Sequence, residues 1–460
     1  MTRALGPVGI MFLSFSALSP VVSVYLFGAG IIRLAGTGAV PALLIGGALA
    51  AIVGLLYAEV GAAFPDAGGV YPSFTAILGP RLSYPYVVMM LVSAPTTLAF
   101  SLLGFADYVR VLAPALPEVP VALACVAAAA GLAVLSIRTG AAITGLFLAV
   151  ELAALAALTG VALFHPARSL GTAVAHPLML AGGTLAPTPL SMIALATVAS
   201  VFTCAGANWA LYFAEEMTDA ERRIGRVITI ISPLAALLIA GPLIVALLAA
   251  PDLRAVLADE APVAAVLRET GGPVVAAVVS AGVLLAVFNA IVATIMGYGR
   301  LFYATARDGL WPAPVARRLA RLDPRFGSPV IATLALCAAA AVLMALGERV
   351  LLVLCSNQLI LEFLLLGLAV LVGRRRGRTG LHHRTWLHPA IPILAIVVTI
   401  GLSVADWLDP DAGRPSLLVL GALILVSFGW KELRARRRVP ASTGRRDLDA
   451  TNEAPAPHQT

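Results

Sequence analysis

Lysine is almost missing from this chain. Of its 31 basic residues over 460 positions, only Lys431 is a lysine, and the rest are arginine. Charge of either sign is scarce, at 12% of residues, where soluble domains average about 25%. With 60% hydrophobic residues, soluble classes are excluded and an all-α polytopic membrane protein is implied. Cysteine is rare as well. Cys125, Cys204, Cys337 and Cys355 all fall inside apolar segments without metal-ligand or disulfide-framework spacing, so no metal site is expected. The six histidines lie in loops or the tail, which leaves no catalytic constellation near mid-membrane and argues against an enzyme. No Walker-type sequence supports an ATP-driven pump. The glycine-rich GAGIIRLAG follows a membrane span rather than a strand, so it carries no nucleotide reading. The opening MTRALGPVGIMFLSFSALSP has one arginine before an apolar run, yet no clear cleavage site, and reads as a first span.

A span needs about 20 mostly apolar residues. That rule predicts about twelve helices, near 7–33, 39–63, 85–111, 119–137, 141–164, 189–217, 225–250, 273–303, 328–347, 350–372, 389–408 and 415–431. Residues 1–431 would form the membrane domain, and the polar, Pro-containing stretch 432–460 a disordered cytoplasmic tail. With the amino terminus in the cytoplasm, all basic residues but Arg33, Arg110, Arg168, Arg254, Arg268, Arg349 and Arg414 lie on the cytoplasmic side. That bias predicts a multi-pass protein of the cytoplasmic (inner) membrane with both termini inside. The Ala- and Arg-rich, Lys-poor composition suggests a bacterial source with a GC-rich genome.

Two predicted spans carry small and polar residues where a span should be most apolar: SFSALSPVVSVYLFGAG at 14–30 and SVFTCAGANWALYFAEEM at 200–217. Pro20 removes a backbone donor, while Gly206 and Asn208 weaken the helix. Irregular backbone survives in lipid only where protein buries it or where it lines a cavity. Five helices separate the two interruptions, an odd number, so a repeat of helices 1–5 in 6–10 must be inverted. Paired broken helices of this kind are the best sequence pointer to a carrier's binding site.

Four stretches support a family resemblance. YAEVGAAFPDAGGVY at 57–71, SALSPVVSVYLFGAGIIRLAGTGA at 16–39, CAGANWALYFAEEMTDAERRIGRVI at 204–228 and NAIVATIMGYGRLFYATARDGLWP at 289–312 come in order. Together they resemble the amino acid–polyamine–organocation transporters, in particular bacterial amino acid permeases. The resemblance implies a five-plus-five inverted repeat (LeuT-like), here about 7–164 and 189–372, with discontinuous helices 1 and 6 and two peripheral helices at 389–431. It also implies a secondary carrier for an amino acid, working by alternating access as a symporter or antiporter. A polyamine or other organic amine is the alternative substrate, and a non-transporting ligand sensor the remote one. Many relatives carry a Gly-Ser-Gly type sequence at the first break, where Ser19, Pro20, Val21, Val22 and Ser23 stand here.

A half-helix N-terminus suits a carboxylate and a half-helix C-terminus an ammonium group. The backbone of Val21, Val22 and Ser23 is therefore expected to hold a substrate carboxylate. Carbonyls around Ser19, Thr203 and Cys204 would face the amine, and Pro20 could equally be a simple kink. Ala205, Gly206, Asn208 and Trp209 complete the second break, with Trp209 resembling an aromatic gate. Ser93, Thr96 and Thr97, which flank Pro95, and Asn289 and Asn357 are further pocket candidates; each could instead be small-residue packing or interhelical glue. Glu151 stands about 15 Å into the fifth helix and Glu362 about 18 Å into the tenth. A carboxyl kept from water binds protons more readily, so both are proton-coupling candidates or, alternatively, structural hydrogen-bonders. The coupling ion is H+ or Na+, with no other cofactor. Gly68, Gly69, Glu215, Glu216, Arg222 and Arg223 are candidates for a cytoplasmic gate. The run at 374–378 and the tail arginines read as topology determinants on anionic lipid, not as a nucleic-acid site. The protein would be a monomer or a homodimer.

Overall fold

In the computed structural model the described residues are 5–437, less 67, 114, 136, 260, 348–349, 352–357 and 409–412. The chain is mostly helical. Six described stretches are long and apolar enough to cross a bilayer, the first containing two successive spans, and four shorter apolar helices accompany them. This is a polytopic membrane protein.

The first span is divided. α1 (Pro7–Leu18) ends at Ser19, whose φ of 45° is left-handed. The chain resumes as α2 (Pro20–Val22), a π-helical turn (Ser23–Phe27) and α3 (Gly28–Ala35). Pro20 opens α2, where its missing N–H leaves nothing unpaired. α4 (Ala39–Ala63), α5 (Tyr71–Leu78), α6 (Pro80–Leu112), α7 (Glu118–Ala133) and α8 (Ile137–Phe164) follow. α6 starts five residues before the expected position, because Gly79 turns the chain at φ 89° and Pro80 fits a first helical turn.

Between α8 and the sixth span lie α9 (Leu170–Ala175) and a hairpin of β1 (Leu178–Ala181) and β2 (Thr184–Pro187). The hairpin was not anticipated. Its signal is Gly182-Gly183, both at positive φ, which suits a two-residue turn between antiparallel strands. It seats on the first span: Thr37 Oγ1 accepts from Leu178 N at 2.7 Å, and Thr188 Oγ1 donates to Ala35 O at 3.0 Å.

The sixth span is also divided. α10 (Leu190–Cys204) stops where Ala205 becomes extended, and α11 (Trp209–Tyr212) resumes it, followed by a 3-10 turn (Ala214–Glu216). Then come α12 (Ala220–Ala249), α13 (Leu253–Ala258) and α14 (Pro262–Arg307). Gly272, at φ 81°, kinks α14 and lets Pro273 begin its long apolar part. α15 (Ala313–Leu319), α16 (Val330–Leu343), α17 (Gln358–Arg375), α18 (Ala390–Leu408) and α19 (Gly413–Arg437) complete the chain. α19 runs six residues past the end expected at 431, into the stretch read as tail. In the core, α4 packs against α10 and α12, while α14 packs against α1, α6 and α8.

Candidate functional site

The two breaks meet at a cavity of about 140 Å³. Val22, Ser23 and Phe27 reach it from the first span, and Phe202, Thr203, Ala205, Asn208, Trp209 and Tyr212 from the sixth. Thr97 and Ser101 of α6, and Ala290, Thr294 and Tyr298 of α14, close its sides. Phe27 meets Phe202 edge-on at 5.3 Å at one end. At the other end Trp209, Tyr212 and Tyr298 form a cluster with centroid distances of 5.0–5.6 Å. Among the described residues lining the cavity, none is Asp, Glu, Arg, Lys or His.

Several expected pocket residues lie elsewhere. Thr96 is buried with its hydroxyl turned back to Val92 O and Ser93 O, and its neighbour Thr97 lines the cavity instead. Helical geometry explains the exchange, since adjacent residues point about 100° apart. Cys204 and Gly206 border the cavity wall without lining it, Gly206 lying against Leu18. Asn357 lies outside the described residues.

The backbone donors of the first break are already engaged, which corrects the expected carboxylate cradle. Val21 N donates to Glu151 Oε1 at 3.0 Å, Val22 N to Ser19 Oγ at 3.2 Å, and Ser23 N to Ser19 O at 3.0 Å. Ser19 Oγ donates to the same Glu151 oxygen at 2.6 Å. A buried carboxylate from α8 thus occupies the half-helix N-terminus, where positive partial charge favours an anion. Glu151 Oε2 and the Asn289 amide are both buried, and the Asn289 side chain acts on the Glu151 carboxyl. Asn289 therefore belongs to the surroundings of Glu151 rather than to the cavity wall.

Glu362, fully buried on α17, accepts from Tyr57 Oη at 2.8 Å and from Asn208 Nδ2 at 3.1 Å. Asn208 is thereby both a cavity residue and the link from the second break to a carboxylate one layer out.

Beyond the aromatic cluster lies a layer of ion pairs. Glu216 receives Arg300 Nε at 2.9 Å and Nη2 at 3.2 Å, with both side chains buried. Glu215 receives Arg307 at 3.1 and 3.2 Å, and Arg307 also reaches Asp308, which accepts from Tyr71. The sequence reading placed Arg222 and Arg223 in this role. Both are exposed, and Arg223 pairs with Asp219 instead. Asp219 is left-handed at the turn into α12, which carries these arginines away from the glutamates. Arg300 and Arg307 lie on α14, 84 and 92 positions along the chain, beyond any local signal. Asp66, beside this layer, has its carboxyl raised above the ordinary range by loss of water, then by Glu215, with Arg307 opposing. Gly68 and Gly69 take φ of 109° and 74°, as their expected loop role requires. A side chain on Gly69 would strike Tyr212. The amino terminus joins the same layer, since Leu5 N donates to Glu216 O at 3.0 Å and Thr218 N to Leu5 O at 2.9 Å.

Glu59, in the YAEV stretch, was missed as well. It accepts from Arg374 Nε and Nη2, both at 2.7 Å, from Thr379 Oγ1 at 3.1 Å and from Thr385 N at 2.8 Å. Arg376 and Arg378 donate to Ile77 O and Ala76 O at the end of α5. Three arginines of the run assigned to lipid thus bind protein groups.

A family model described as amino acid permease matches residues 5–428. The human Asc-type amino acid transporter 1 is 27% identical over 395 residues, 83% of this chain and 72% of that protein. The branched-chain amino acid permease BcaP of Lactococcus lactis subsp. cremoris (strain MG1363) is 29% identical over 172 residues, 37% of this chain and 36% of that one. These likenesses, over a membrane-embedded helical chain, make it a transporter rather than an enzyme, and the chain belongs to the amino acid permease family.

Proposed function

We propose that this protein carries a small neutral amino acid across the cytoplasmic membrane by alternating access. The observation that carries the reading is the cavity of about 140 Å³ between two broken helices, with no charged side chain among the described residues of its wall. An engineered cavity of about 150 Å³ accepts benzene, so a side chain of only a few carbons fits beside a zwitterion's charged groups. Ser23, Thr97, Ser101, Thr203 and Asn208 are among the polar side chains lining the cavity that such a zwitterion would meet. The family match and the amino acid transporters among the relatives point the same way.

The broken helices and the order of the spans support a twelve-span, five-plus-five inverted repeat over about 7–164 and 189–372, with peripheral helices at 389–431. The arginine distribution supports cytoplasmic termini. Glu151 is the proton-coupling residue in this reading: fully buried, its carboxylate holds the first break through Ser19 and Val21. The pairs Glu216–Arg300 and Glu215–Arg307 form the inner gate. An amine substrate would want an acidic wall. Glu362, bonded to the cavity residue Asn208, is instead engaged by it and by Tyr57.

The test is uptake into proteoliposomes of a labelled pool of amino acids and amines under an imposed pH gradient, with and without an uncoupler. Amino acid uptake abolished by the uncoupler supports proton coupling. Uptake indifferent to it supports exchange or sodium coupling and removes Glu151 from the role. Uptake of amines alone replaces the substrate class.

A further inference from the structure

Trp209 forms one wall of the cavity and rests on the backbone of α14 at Gly297. A Cβ placed on Gly297 would lie 2.9 Å from Trp209 Cζ3 and 3.3 Å from Cε3, inside ordinary carbon–carbon contact of about 3.5–4.0 Å. The same position has Phe213 Cζ at 3.7 Å. Tyr298 and Tyr212 hold the indole on other sides, with centroids at 5.0 and 5.3 Å. Tyr212 is almost fully buried apart from its edge on the cavity, so the space it could yield is the cavity's own. Any side chain at position 297 would therefore drive the indole toward the one open direction, the cavity. Glycine inside an apolar helix weakens it relative to alanine by about 0.5–1 kcal/mol, so its presence here calls for a packing reason. The recess for Trp209 supplies one.

We propose that Gly297 determines the size specificity of transport: the notch it leaves on α14 lets Trp209 stand back, and the depth of that recess sets the largest substrate side chain. Gly297 does not line the cavity; it is a positioning residue acting through Trp209. The inference rests on the cavity being the transport site and specifies which side chains it admits.

The experiment measures kcat/KM in proteoliposomes for glycine, alanine, valine, leucine and phenylalanine, using wild type, G297A, W209F and G297A/W209F. One methylene more or less in an apolar pocket changes discrimination by roughly tenfold to 200-fold. In G297A the ratio of the largest accepted substrate to alanine should fall by about tenfold or more. In W209F that ratio should rise, because the smaller ring vacates space. In the double variant it should return toward wild type, since phenylalanine leaves room for the new methyl group. A uniform fall across the series in G297A, or no recovery in the double variant, overturns the proposal and leaves Gly297 a plain helix-packing residue. If G297A does not fold, W209F decides alone, and an unchanged ranking of the five substrates overturns it. If wild type moves none of the five, the neutral amino acid reading fails separately. The same four proteins are then compared on a size series of primary amines, with the same ratios deciding.

Discussion

Arg300 on α14 and Glu216 after α11 form a buried bidentate ion pair, with side chains only 3% and 4% exposed. Arg300 also donates to Met296 O at 2.5 Å and lies over the Phe213 ring at 5.2 Å. Its Nε, Nη1 and Nη2 each donate to a group on one of two spans. Removing one partner leaves an uncompensated buried charge, which costs about 3–5 kcal/mol. Glu216→Gln and Arg300→Met should each lower the thermal midpoint in detergent sharply. The double variant should be more stable than either single one, because Gln with Met leaves no orphan charge. Equal or additive losses in the double variant would show that the pair is not the relevant coupling.

Glu151 gives a transport prediction. Glu151→Gln keeps an oxygen that can accept from Ser19 and Val21 but cannot exchange a proton. Uptake driven by a pH gradient should be lost, while exchange of labelled for unlabelled substrate across the membrane persists. Full pH-driven uptake by the variant would free Glu151 of any coupling role.

Ser19 separates two effects of one residue. It holds φ at 45° and its hydroxyl caps Val22 N. Ser19→Ala loses the cap and keeps the unfavourable left-handed backbone, whereas Ser19→Gly loses the cap but relieves the backbone. Thermal unfolding should rank wild type above Ser19→Gly above Ser19→Ala, with the alanine variant down by about 1 kcal/mol or more. The reverse order of the two variants would mean that the left-handed turn carries no cost here.

Glu59 joins α4 to the end of α17 and to the segment leading into α18, through Arg374, Thr379 and Thr385. Its side chain is fully buried. Glu59→Ala should free that segment, so that trypsin cuts at Arg378 or Arg384 at least tenfold faster than in wild type. A cleavage rate equal to wild type would show that other contacts hold the segment.

Much of the architecture was legible because a membrane span obeys one simple rule, a run of about 20 mostly apolar residues. The breaks were legible too, since Pro20, Gly206 and Asn208 stand where a continuous helix has no use for them. The hairpin signal, Gly182-Gly183, was present and passed over. The partners were not legible. Glu215 and Glu216 were expected to pair with arginine, but nearby Arg222 and Arg223 were chosen in place of Arg300 and Arg307.

By itself, then, the sequence determined that the chain is helical, membrane-embedded, broken in its first and sixth spans, and a relative of amino acid permeases. These follow from hydropathy, backbone preference and local motif, properties carried within a window of about 20 residues. Tertiary structure alone decided what each polar group faces. It put the Glu151 carboxylate on the break expected to hold substrate, Thr97 rather than Thr96 on the cavity wall, and Trp209 in the notch of Gly297. Such pairings join residues tens to hundreds of positions apart. They depend on helix rotation, where one residue's difference turns a side chain by about 100°, and no local pattern encodes that rotation.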